Sequence, residues 1–268
     1  MEWNHLERFL QKANAGEIPL GTCITFTDPA VTELAAASGF DFCWIDGEHG
    51  ELDRQTAMLH IMALRGTGCA PLYRVPACSH TEIKKVIDFA PAGIIIPMVM
   101  NAQDAELAVA ACRYPPRGNR GCGFRRGNHY FTEDTSSYLN RSLEEPLIII
   151  QIEHIEAVRN LDEILRVPGL QSILIGPYDL STSMGKPGQW NDPDVSGTLD
   201  EICRKTRSAG ILLGAYAEGD FPRWISRGVQ YMGIANDTTA MLAGFQNGIR
   251  SFRNAASKNS NQNRSFQN

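Results

Sequence analysis

Two apolar runs of the sequence, FDFCWIDGEHG at residues 40–50 and PLIIIQIEH at residues 146–154, each end in charged side chains. Runs of this length and composition predict buried strands. A carboxylate or an imidazole directly after such a strand is costly to bury unless it is paired, bound to a metal or open to a pocket. In α/β sheets, polar strand ends gather where these folds place their sites. The two runs therefore predict an α/β fold with a site at one edge of its sheet.

Six further apolar runs extend this pattern along the chain, and helical patterns lie between the runs. Eight strands, each followed by a helical segment, predict a single-domain (β/α)₈ barrel, the TIM barrel, and no glycine fingerprint of an open doubly wound sheet follows the first strand. The predicted strands are 18–26, 41–46, 71–75, 93–99, 147–153, 172–176, 211–216 and 230–235. The predicted helices are an N-terminal amphipathic helix at 3–14, then Ser79–Ala90, Asn101–Cys112, Ile155–Leu165, Ser196–Ala209 and Thr238–Phe252.

The domain prediction is one barrel domain over residues 1–256 and a disordered tail over residues 257–268. The tail is rich in asparagine, serine and glutamine and holds one aromatic residue, a composition that cannot bury enough apolar surface to fold. No proline- or serine-rich linker divides the rest of the 268-residue chain.

Composition and charge exclude several classes of partner. The net charge is −5 and no run of lysine and arginine interrupts it, which argues against nucleic acid or an anionic membrane as the main partner. No segment approaches the ~20 apolar residues of a membrane span, and the first residues lack the apolar stretch of a signal peptide. The seven cysteines are odd in number and have no C-x-x-C spacing, which predicts reduced thiols. We therefore expect a cytoplasmic protein.

Two acidic residues at strand ends, Glu153 and Asp179, are candidate metal ligands. Two carboxylates from separate strands, completed by waters and a chelating substrate, suit an octahedral hard cation such as Mg²⁺ or Mn²⁺. The alternative is that each residue caps the helix that follows it, as acidic residues commonly do. The spacing leaves both interpretations open.

Three other strand-end residues could carry acid/base or anion-binding chemistry. Asp46 lies three residues before His49, and a carboxylate near an imidazole raises its basicity and fixes its tautomer. The alternative is a loop histidine with a structural hydrogen bond. Arg74 ends the third strand, where a substrate carboxylate or enolate would give it an anionic partner. The alternative is a salt bridge with Asp46 or Glu48.

Two loops complete the set of candidate sites. Gly176 and Pro177 come before a predicted helix start, where backbone N–H groups favour a carboxylate. The longest irregular stretch, residues 114–140, holds a basic segment over 117–130. A loop of this length in a compact domain is usually functional or mobile. The arginines of this segment either hold an anionic substrate or face solvent.

Taken together, these stretches resemble the HpcH/HpaI aldolase/citrate lyase family, and within it the class II, metal-dependent pyruvate aldolases. That group includes 4-hydroxy-2-oxoheptane-1,7-dioate aldolases and 2-keto-3-deoxy sugar-acid aldolases. The matching stretches follow the family's order and span most of the chain; they are residues 42–49, 73–76, 94–99, 113–121, 151–153 and 175–181.

The resemblance implies a metal-dependent carbon–carbon lyase, an aldehyde-lyase. The reaction would be reversible retro-aldol cleavage of a 4-hydroxy-2-oxo acid to pyruvate and an aldehyde, via a metal-bound pyruvate enolate. Glu153 and Asp179 would hold the divalent cation, with Mg²⁺ or Mn²⁺ favoured and Co²⁺ and Zn²⁺ as further candidates. Asp46 and His49 would form the acid/base dyad, and Arg74 would contact the enolate oxygen.

The resemblance also implies the rest of the substrate site and the assembly. Gln151 and Gly176 would line the pocket, and the backbone around Tyr178 and Asp179 would hold the pyruvate carboxylate. The small molecules bound would be a 2-oxo acid and an aldehyde, and the chain would form a homo-oligomer, a hexamer in which the last helix packs on a neighbour. Tyr178 departs from the family, which commonly has a small residue there.

Two alternatives remain at this stage. An acyl-CoA lyase of the citryl- or malyl-CoA type shares the barrel, and the basic segment over 117–126 would then bind the nucleotide. A barrel that binds ligands without turnover would be expected to have lost part of the metal or acid/base set, whereas Glu153, Asp179, Arg74, Asp46 and His49 are all present.

Overall fold

A closed barrel of eight parallel strands forms the centre of the chain, in a computed structural model that describes residues 3–265. Each strand pairs with the next in sequence, and β8 pairs with β1. The strands are β1 (Leu20–Ile24), β2 (Phe42–Asp46), β3 (Ala70–Arg74), β4 (Gly93–Ile96), β5 (Leu147–Ile152), β6 (Ser172–Ile175), β7 (Leu212–Tyr216) and β8 (Tyr231–Asn236). The predicted (β/α)₈ barrel and its strand count are confirmed.

Helices follow every strand and form the outer layer. They are α1 (Leu6–Asn14), α2 (Pro29–Ala37), α3 (Arg54–Ala63), α4 (His80–Ile87), α5 (Ala102–Cys112), α6 (Thr135–Arg141), α7 (Ile155–Arg159), α8 (Leu161–Ile164), α9 (Pro177–Ser183), α10 (Pro193–Ser208), α11 (Phe221–Ser226) and α12 (Asp237–Ser265). The cap residue and the spacing of apolar residues place α4 and α5 within the predicted ranges, with Ser79 and Asn101 as their N-caps. The segment predicted as wholly irregular ends in α6, which Asp134 caps.

Several strands are shorter than predicted, and β4 gives the clearest reason. The prediction extended it to residue 99, but it ends at Ile96 because Pro97 has no N–H for the ladder and Met98 adopts a positive φ of 55°. At the other end of the chain, the backbone of α12 continues to Ser265, through most of the segment predicted as a disordered tail. Residues 266–268 lie outside the described residues, and the tail and domain boundary stay predictions.

Successive side chains of each strand point alternately outward and inward, and this alternation creates two apolar layers. One set of side chains packs between the strands and the helices, and the other fills the barrel interior. In the interior, Phe9 of α1 closes the end where the strands begin and packs on Phe42 and Tyr231, with ring centroids 5.7 and 5.3 Å away. Gly21 and Gly214 make room for these rings, since a Cβ on either would lie 2.2 or 2.1 Å from them. The filled base leaves the opposite mouth as the open end of the barrel.

The lengths of the helices and the state of the cysteines bear on the predicted location of the protein. No helix within the described residues is long and apolar enough to cross a membrane. All seven cysteines are free thiols, as predicted, and five of them are buried. The cytoplasmic location stays a prediction.

Candidate active site

A cavity of about 240 Å³ opens at the C-terminal ends of the strands. Barrels of this type place their sites at this face. The cavity is lined by Cys23, Thr25, Trp44, Asp46, His49, Arg74, Gln151, Gly176, Pro177, Tyr178, Asp179, Tyr216 and Asn236. Every residue predicted for the site lines this cavity except Glu153, which accepts a hydrogen bond from the lining residue Gln151. The barrel thus brings together residues that are up to 213 positions apart in the sequence, from Cys23 to Asn236.

Arg74 is the only arginine or lysine among these lining residues, and two carboxylates hold it. Its Nε donates to Asp46 Oδ1 at 2.8 Å and its Nη2 to Asp46 Oδ2 at 2.6 Å. Its Nη1 lies 2.9 Å from Glu48 Oε2. Asp46 and Arg74 are paired in the register of β2 and β3, so the two strand ends present them side by side. The salt bridge considered as an alternative role for Arg74 is therefore present.

The pair between Arg74 and Asp46 is buried, and Trp44 supports it. Arg74 is 6% exposed and Asp46 2%. Burial by itself would raise the pKa of Asp46, but the hydrogen bonds and charge of Arg74 lower it below its usual value. The guanidinium carbon of Arg74 lies 4.8 Å from the centre of the Trp44 ring, a cation–π distance. The Asp46 carboxylate and the Trp44 ring therefore hold the guanidinium in one orientation.

His49 reaches the cavity separately from Asp46. Its backbone N–H donates to Asp46 Oδ1 at 3.2 Å, but its side chain is 66% exposed, and its Nε2 lies 4.0 Å from Glu48 Oε2. The Asp46 carboxylate is instead occupied by Arg74, by the N–H groups of Glu48 and His49, and by the Cys23 thiol at 3.9 Å. The carboxylate nearest to the imidazole thus belongs to Glu48, which the sequence interpretation considered only as a salt-bridge partner of Arg74.

Glu153 is a buried carboxylate with both oxygens engaged. Its Oε1 accepts the Met98 N–H at 2.7 Å, and its Oε2 accepts the Gln151 amide N–H at 2.8 Å. Burial raises the pKa of Glu153 to about 7, and the charges of Glu48 and Asp179 add to the rise. The helix that follows is capped by His154, so capping is not the role of Glu153. A second carboxylate, Asp179, lies exposed in the first turn of α9.

The charges of this site fit a divalent cation. Three carboxylates, those of Asp46, Glu48 and Glu153, interact here with the guanidinium of Arg74, and a fourth carboxylate, that of Asp179, lines the same cavity. Burial is the main cause of the raised pKa of Glu153, and the negative charges of Glu48 and Asp179 add to it. No group of three or more histidine, cysteine or acidic residues in the described part of the chain could hold a metal alone. Two protein oxygens with waters and substrate completing the shell is an arrangement that Mg²⁺ accepts.

Gly176 is required by its closeness to Glu153. A Cβ on Gly176 would lie 2.8 Å from Glu153 Oε2 and 3.4 Å from Gln151 Nε2. Gly176 is the N-cap of α9 and has no side chain to cap the helix, so N–H groups of the first turn face the cavity without a side-chain cap. A carboxylate placed there would meet these groups beside the two acidic side chains.

The basic segment over 117–130 does not reach the cavity of its own chain. It lies at the end of the barrel where strands begin, because it connects α5 to β5. Arg120 there is buried and pairs with Asp88 at 3.1 Å, and Arg126 Nη1 donates to the Phe89 carbonyl. These two arginines neither hold an anionic substrate in the cavity nor face solvent, the two alternatives made from the sequence. They are buried and make structural contacts.

The sequence interpretation gave no role to several residues that line the cavity. Cys23, Trp44 and Tyr216 face the cavity, and Trp44 is two positions before Asp46, so the period of a strand could have identified it. Asp237, at the end of β8, is structural: its Oδ2 accepts the N–H groups of Thr25 at 2.7 Å and of Phe26 at 2.9 Å.

The fold and this cavity define a barrel enzyme with a carboxylate-rich site at its C-terminal mouth. The chain belongs to the HpcH/HpaI aldolase/citrate lyase family, whose model matches residues 22–241. It is 31% identical over 239 residues to a hydroxypyruvate/pyruvate aldolase of Pseudomonas aeruginosa, covering 88% of this chain and 89% of the relative. It is 34% identical over 235 residues to a 5-keto-4-deoxy-D-glucarate aldolase of Salmonella arizonae, covering 87% and 91%.

A solved structure agrees with these relatives. The HpcH/HpaI aldolase of Desulfitobacterium hafniense superposes with a TM-score of 0.85 at 25% identity, over 91% of this chain and 96% of that one. The chain is accordingly an enzyme, a lyase of the aldolase type.

Proposed function

We propose that this enzyme catalyses the reversible retro-aldol cleavage of a 4-hydroxy-2-oxo acid to pyruvate and an aldehyde, with a divalent cation held by Glu153 and Asp179. The observation that carries the proposal is the cavity in which one guanidinium faces an excess of carboxylates. This excess of negative charge favours the binding of a metal ion, and a 2-oxo acid can chelate such an ion. The named aldolase relatives support the same reaction class.

Two parts of the chain would bind the 2-oxo acid: the first turn of α9 would bind its carboxylate, and Glu153 would help to hold the metal ion. The first-turn N–H groups of α9 receive the carboxylate, as helix N-termini do for anions. When bound, Mg²⁺ or Mn²⁺ supplies Lewis-acid polarisation of the keto group. Glu153 is held in place for this role by the Met98 N–H and by Gln151. Gly176 leaves the space between these groups open.

Arg74 stabilises the charge that develops on the keto oxygen as the carbon–carbon bond breaks. Its hydrogen bonds to Asp46 engage the Nε–H and one N–H of Nη2, and its Nη1 forms an ion pair with Glu48. The second N–H of each Nη group is therefore available to a substrate oxygen, apart from a long 3.5 Å contact with Gln151 Oε1. Asp46 and Glu48 fix the guanidinium in that direction, so it needs no reorganisation during the reaction.

Proton transfer is assigned to His49, which stands at the exposed rim of the cavity. As the bond between C3 and C4 breaks, it would take the proton of the 4-hydroxyl through a water molecule, and it would then return a proton to C3 of the enolate to give pyruvate; aldol addition reverses both transfers. Asp46 acts on the His49 segment through its backbone N–H, and Glu48 is the carboxylate nearest the ring. A lysine Schiff base is not part of the proposal, because no lysine lines the cavity.

The acyl-CoA lyase alternative loses the observation on which it depended. The basic segment over 117–126 was its candidate nucleotide site, and in one copy of the chain that segment lies at the far end of the barrel. No other feature of the described residues favours a nucleotide at the mouth. The aldol reaction is therefore the one function proposed.

The decisive experiment is exchange of the pyruvate methyl protons, because it requires the enolate but no aldehyde. In D₂O with Mg²⁺ or Mn²⁺, we expect the enzyme to incorporate deuterium, measured by mass spectrometry of the recovered pyruvate. Treatment with EDTA should stop the exchange, and either cation should restore it. Absence of exchange by the folded, metal-supplemented enzyme contradicts the proposal.

The last helix supports the further proposal that the enzyme is a homo-oligomer, for which the family resemblance implies a hexamer. Four apolar side chains of α12 are spaced by three, four and three residues and are exposed to between 53% and 76%: Leu242, Phe245, Ile249 and Phe252. A continuous apolar stripe of this kind marks an interaction surface.

Charging this stripe should dissociate the oligomer. We expect the double substitution Phe245→Glu and Phe252→Glu to reduce the mass measured by sedimentation, because two buried carboxylates would face the neighbour. Asn247→Glu adds a charge to the opposite side of the same helix and should leave the mass unchanged. A wild-type chain that sediments as a monomer would remove this proposal.

A further inference from the structure

We propose that a second cavity beside the mouth binds the far end of the aldehyde, and that it takes an uncharged, hydroxylated chain. This inference rests on the proposed aldol reaction and names the part of the substrate that the reaction itself leaves open. The cavity measures about 370 Å³. It lies between the segment that follows α9 and the segment that joins β7 to α11.

The second cavity adjoins the substrate cavity at one residue pair. Pro177 and Tyr178 line both cavities. Tyr178 follows β6, and its side chain stands between the two cavities. It is 48% exposed, so part of its ring is open to a ligand. A chain that starts at the reacting carbon beside Asp179 and passes this ring enters the second cavity.

Aromatic rings form the wall next to Tyr178. Trp190 packs on Tyr178 with ring centroids 4.0 Å apart and planes at 85°. On the other side, the Tyr216 hydroxyl donates to Glu218 Oε1 at 2.5 Å, which ties a residue of the substrate cavity to one of the second cavity. Ring surfaces offer contact to the C–H groups of a hydroxylated chain, while its hydroxyls remain free to hydrogen-bond.

The polar groups of the second cavity combine donors with acceptors. Arg223 is held by Asn191 Oδ1 at 2.8 Å and by the Ser196 hydroxyl, which leaves its Nε–H without a partner among the described residues. Glu218 and Asp220 contribute carboxylate oxygens. Hydroxyl groups both donate and accept, so they match such a mixed set.

The charge balance disfavours a carboxylate at the far end of the aldehyde. Arg227, the second arginine of the cavity, is already paired with Asp200 at 2.7 Å. The two negative charges of Glu218 and Asp220 then exceed the one remaining positive charge, that of Arg223. A carboxylate would be repelled here, whereas an uncharged polyol would not.

The test compares two aldehydes, each used with pyruvate in the direction of aldol addition. For Trp190→Ala we expect kcat/KM with D-erythrose to fall about tenfold, the size of one aromatic contact, and with glycolaldehyde to fall far less. Succinic semialdehyde, which ends in a carboxylate, should be the poorer four-carbon substrate of the wild type. Phe221→Ala is the matched control, because Phe221 is an exposed aromatic residue of α11 outside the cavity lining.

A second variant fills the cavity instead of removing its wall. Ala217→Leu should exclude D-erythrose and retain glycolaldehyde, with circular dichroism confirming the fold. An equal loss for both aldehydes in both variants, or no loss, overturns the inference. A preference for succinic semialdehyde over D-erythrose overturns it as well. Methyl exchange of pyruvate is measured on the same wild-type sample: its absence contradicts the aldol proposal itself, and its presence with unchanged aldehyde preference overturns the second cavity alone.

Discussion

Arg74→Ala should lower the rate of pyruvate methyl exchange at least a hundredfold and reduce the thermal stability of the same sample. Loss of one charge-assisted contact to a developing oxyanion in a sheltered site costs about 3 kcal/mol. The stability falls as well, because Asp46 and Glu48 lose the guanidinium that pairs with both of them. Removing one partner of a buried ion pair typically costs about 3–5 kcal/mol.

Arg74→Lys separates the two roles of this residue. The lysine ammonium keeps a positive charge near Asp46 and Glu48, so we expect most of the stability to return. A point charge does not reproduce the planar fork that also reaches the substrate, so exchange should remain at least tenfold below wild type. Full recovery of both quantities would assign Arg74 to structure alone. Arg113→Ala provides the control, since Arg113 is a buried arginine at the far end of the barrel, bound to Gln171 Oε1 at 2.8 Å.

Glu153→Gln should abolish exchange and weaken metal binding while making the metal-free protein more stable near pH 8. Glutamine has the shape of glutamate and its carbonyl oxygen can still accept the Met98 N–H. Alanine would leave that N–H and the Gln151 amide without a partner, so it is the poorer test. Metal affinity is measured by isothermal titration calorimetry, and near-normal affinity in the variant would show that Glu153 is not a ligand.

The pH dependence of stability provides an independent check on Glu153 in the presence of EDTA. Its pKa is raised from 4.5 to about 7 in the folded chain, chiefly by burial. Between these values the folded chain holds a proton that the unfolded chain has lost. Stability therefore falls as pH rises through this window, by about 1.4 kcal/mol for each pH unit.

Urea unfolding at pH 5 and at pH 8 measures this effect. We expect Glu153→Gln to remove most of the decrease, because glutamine does not titrate. Glu156→Gln, at an exposed position of α7, should behave as the wild type. Equal pH dependence in all three proteins would mean that burial does not raise the pKa of Glu153.

Prediction of the barrel succeeded because its signals are local. Each strand is a short apolar run, and each is bounded by residues that stop a strand, so counting them required no knowledge of the contacts. The same signals placed Asp46, Arg74, Gln151 and Asp179 at strand ends, and parallel strands in a closed barrel must bring such ends to one mouth. The boundaries were less accurate where backbone conformation intervened, as at Met98, whose positive φ ends β4 and turns its N–H toward Glu153.

The partners of the charged groups depended on distances that no spacing encodes. The sequence places Asp46 three residues from His49, which predicted a dyad, but the register of β2 and β3 gives the Asp46 carboxylate to Arg74. It places the basic segment over 117–130 between a predicted helix and the next predicted strand, and in a (β/α)₈ barrel that order already assigns the segment to the end where the strands begin. The chain direction decides this, because α5 runs back from the mouth and ends where the strands begin.

The sequence by itself determined the fold, the face that carries the site and most of the side chains that meet there, since these follow from periodicity and from strand ends. Only the tertiary structure decided which carboxylate pairs with Arg74, why Glu153 has a raised pKa and where a second cavity adjoins the first at Tyr178. The physical reason is that burial, register and charge balance are properties of groups brought together from distant parts of the chain, and a linear pattern does not contain those distances.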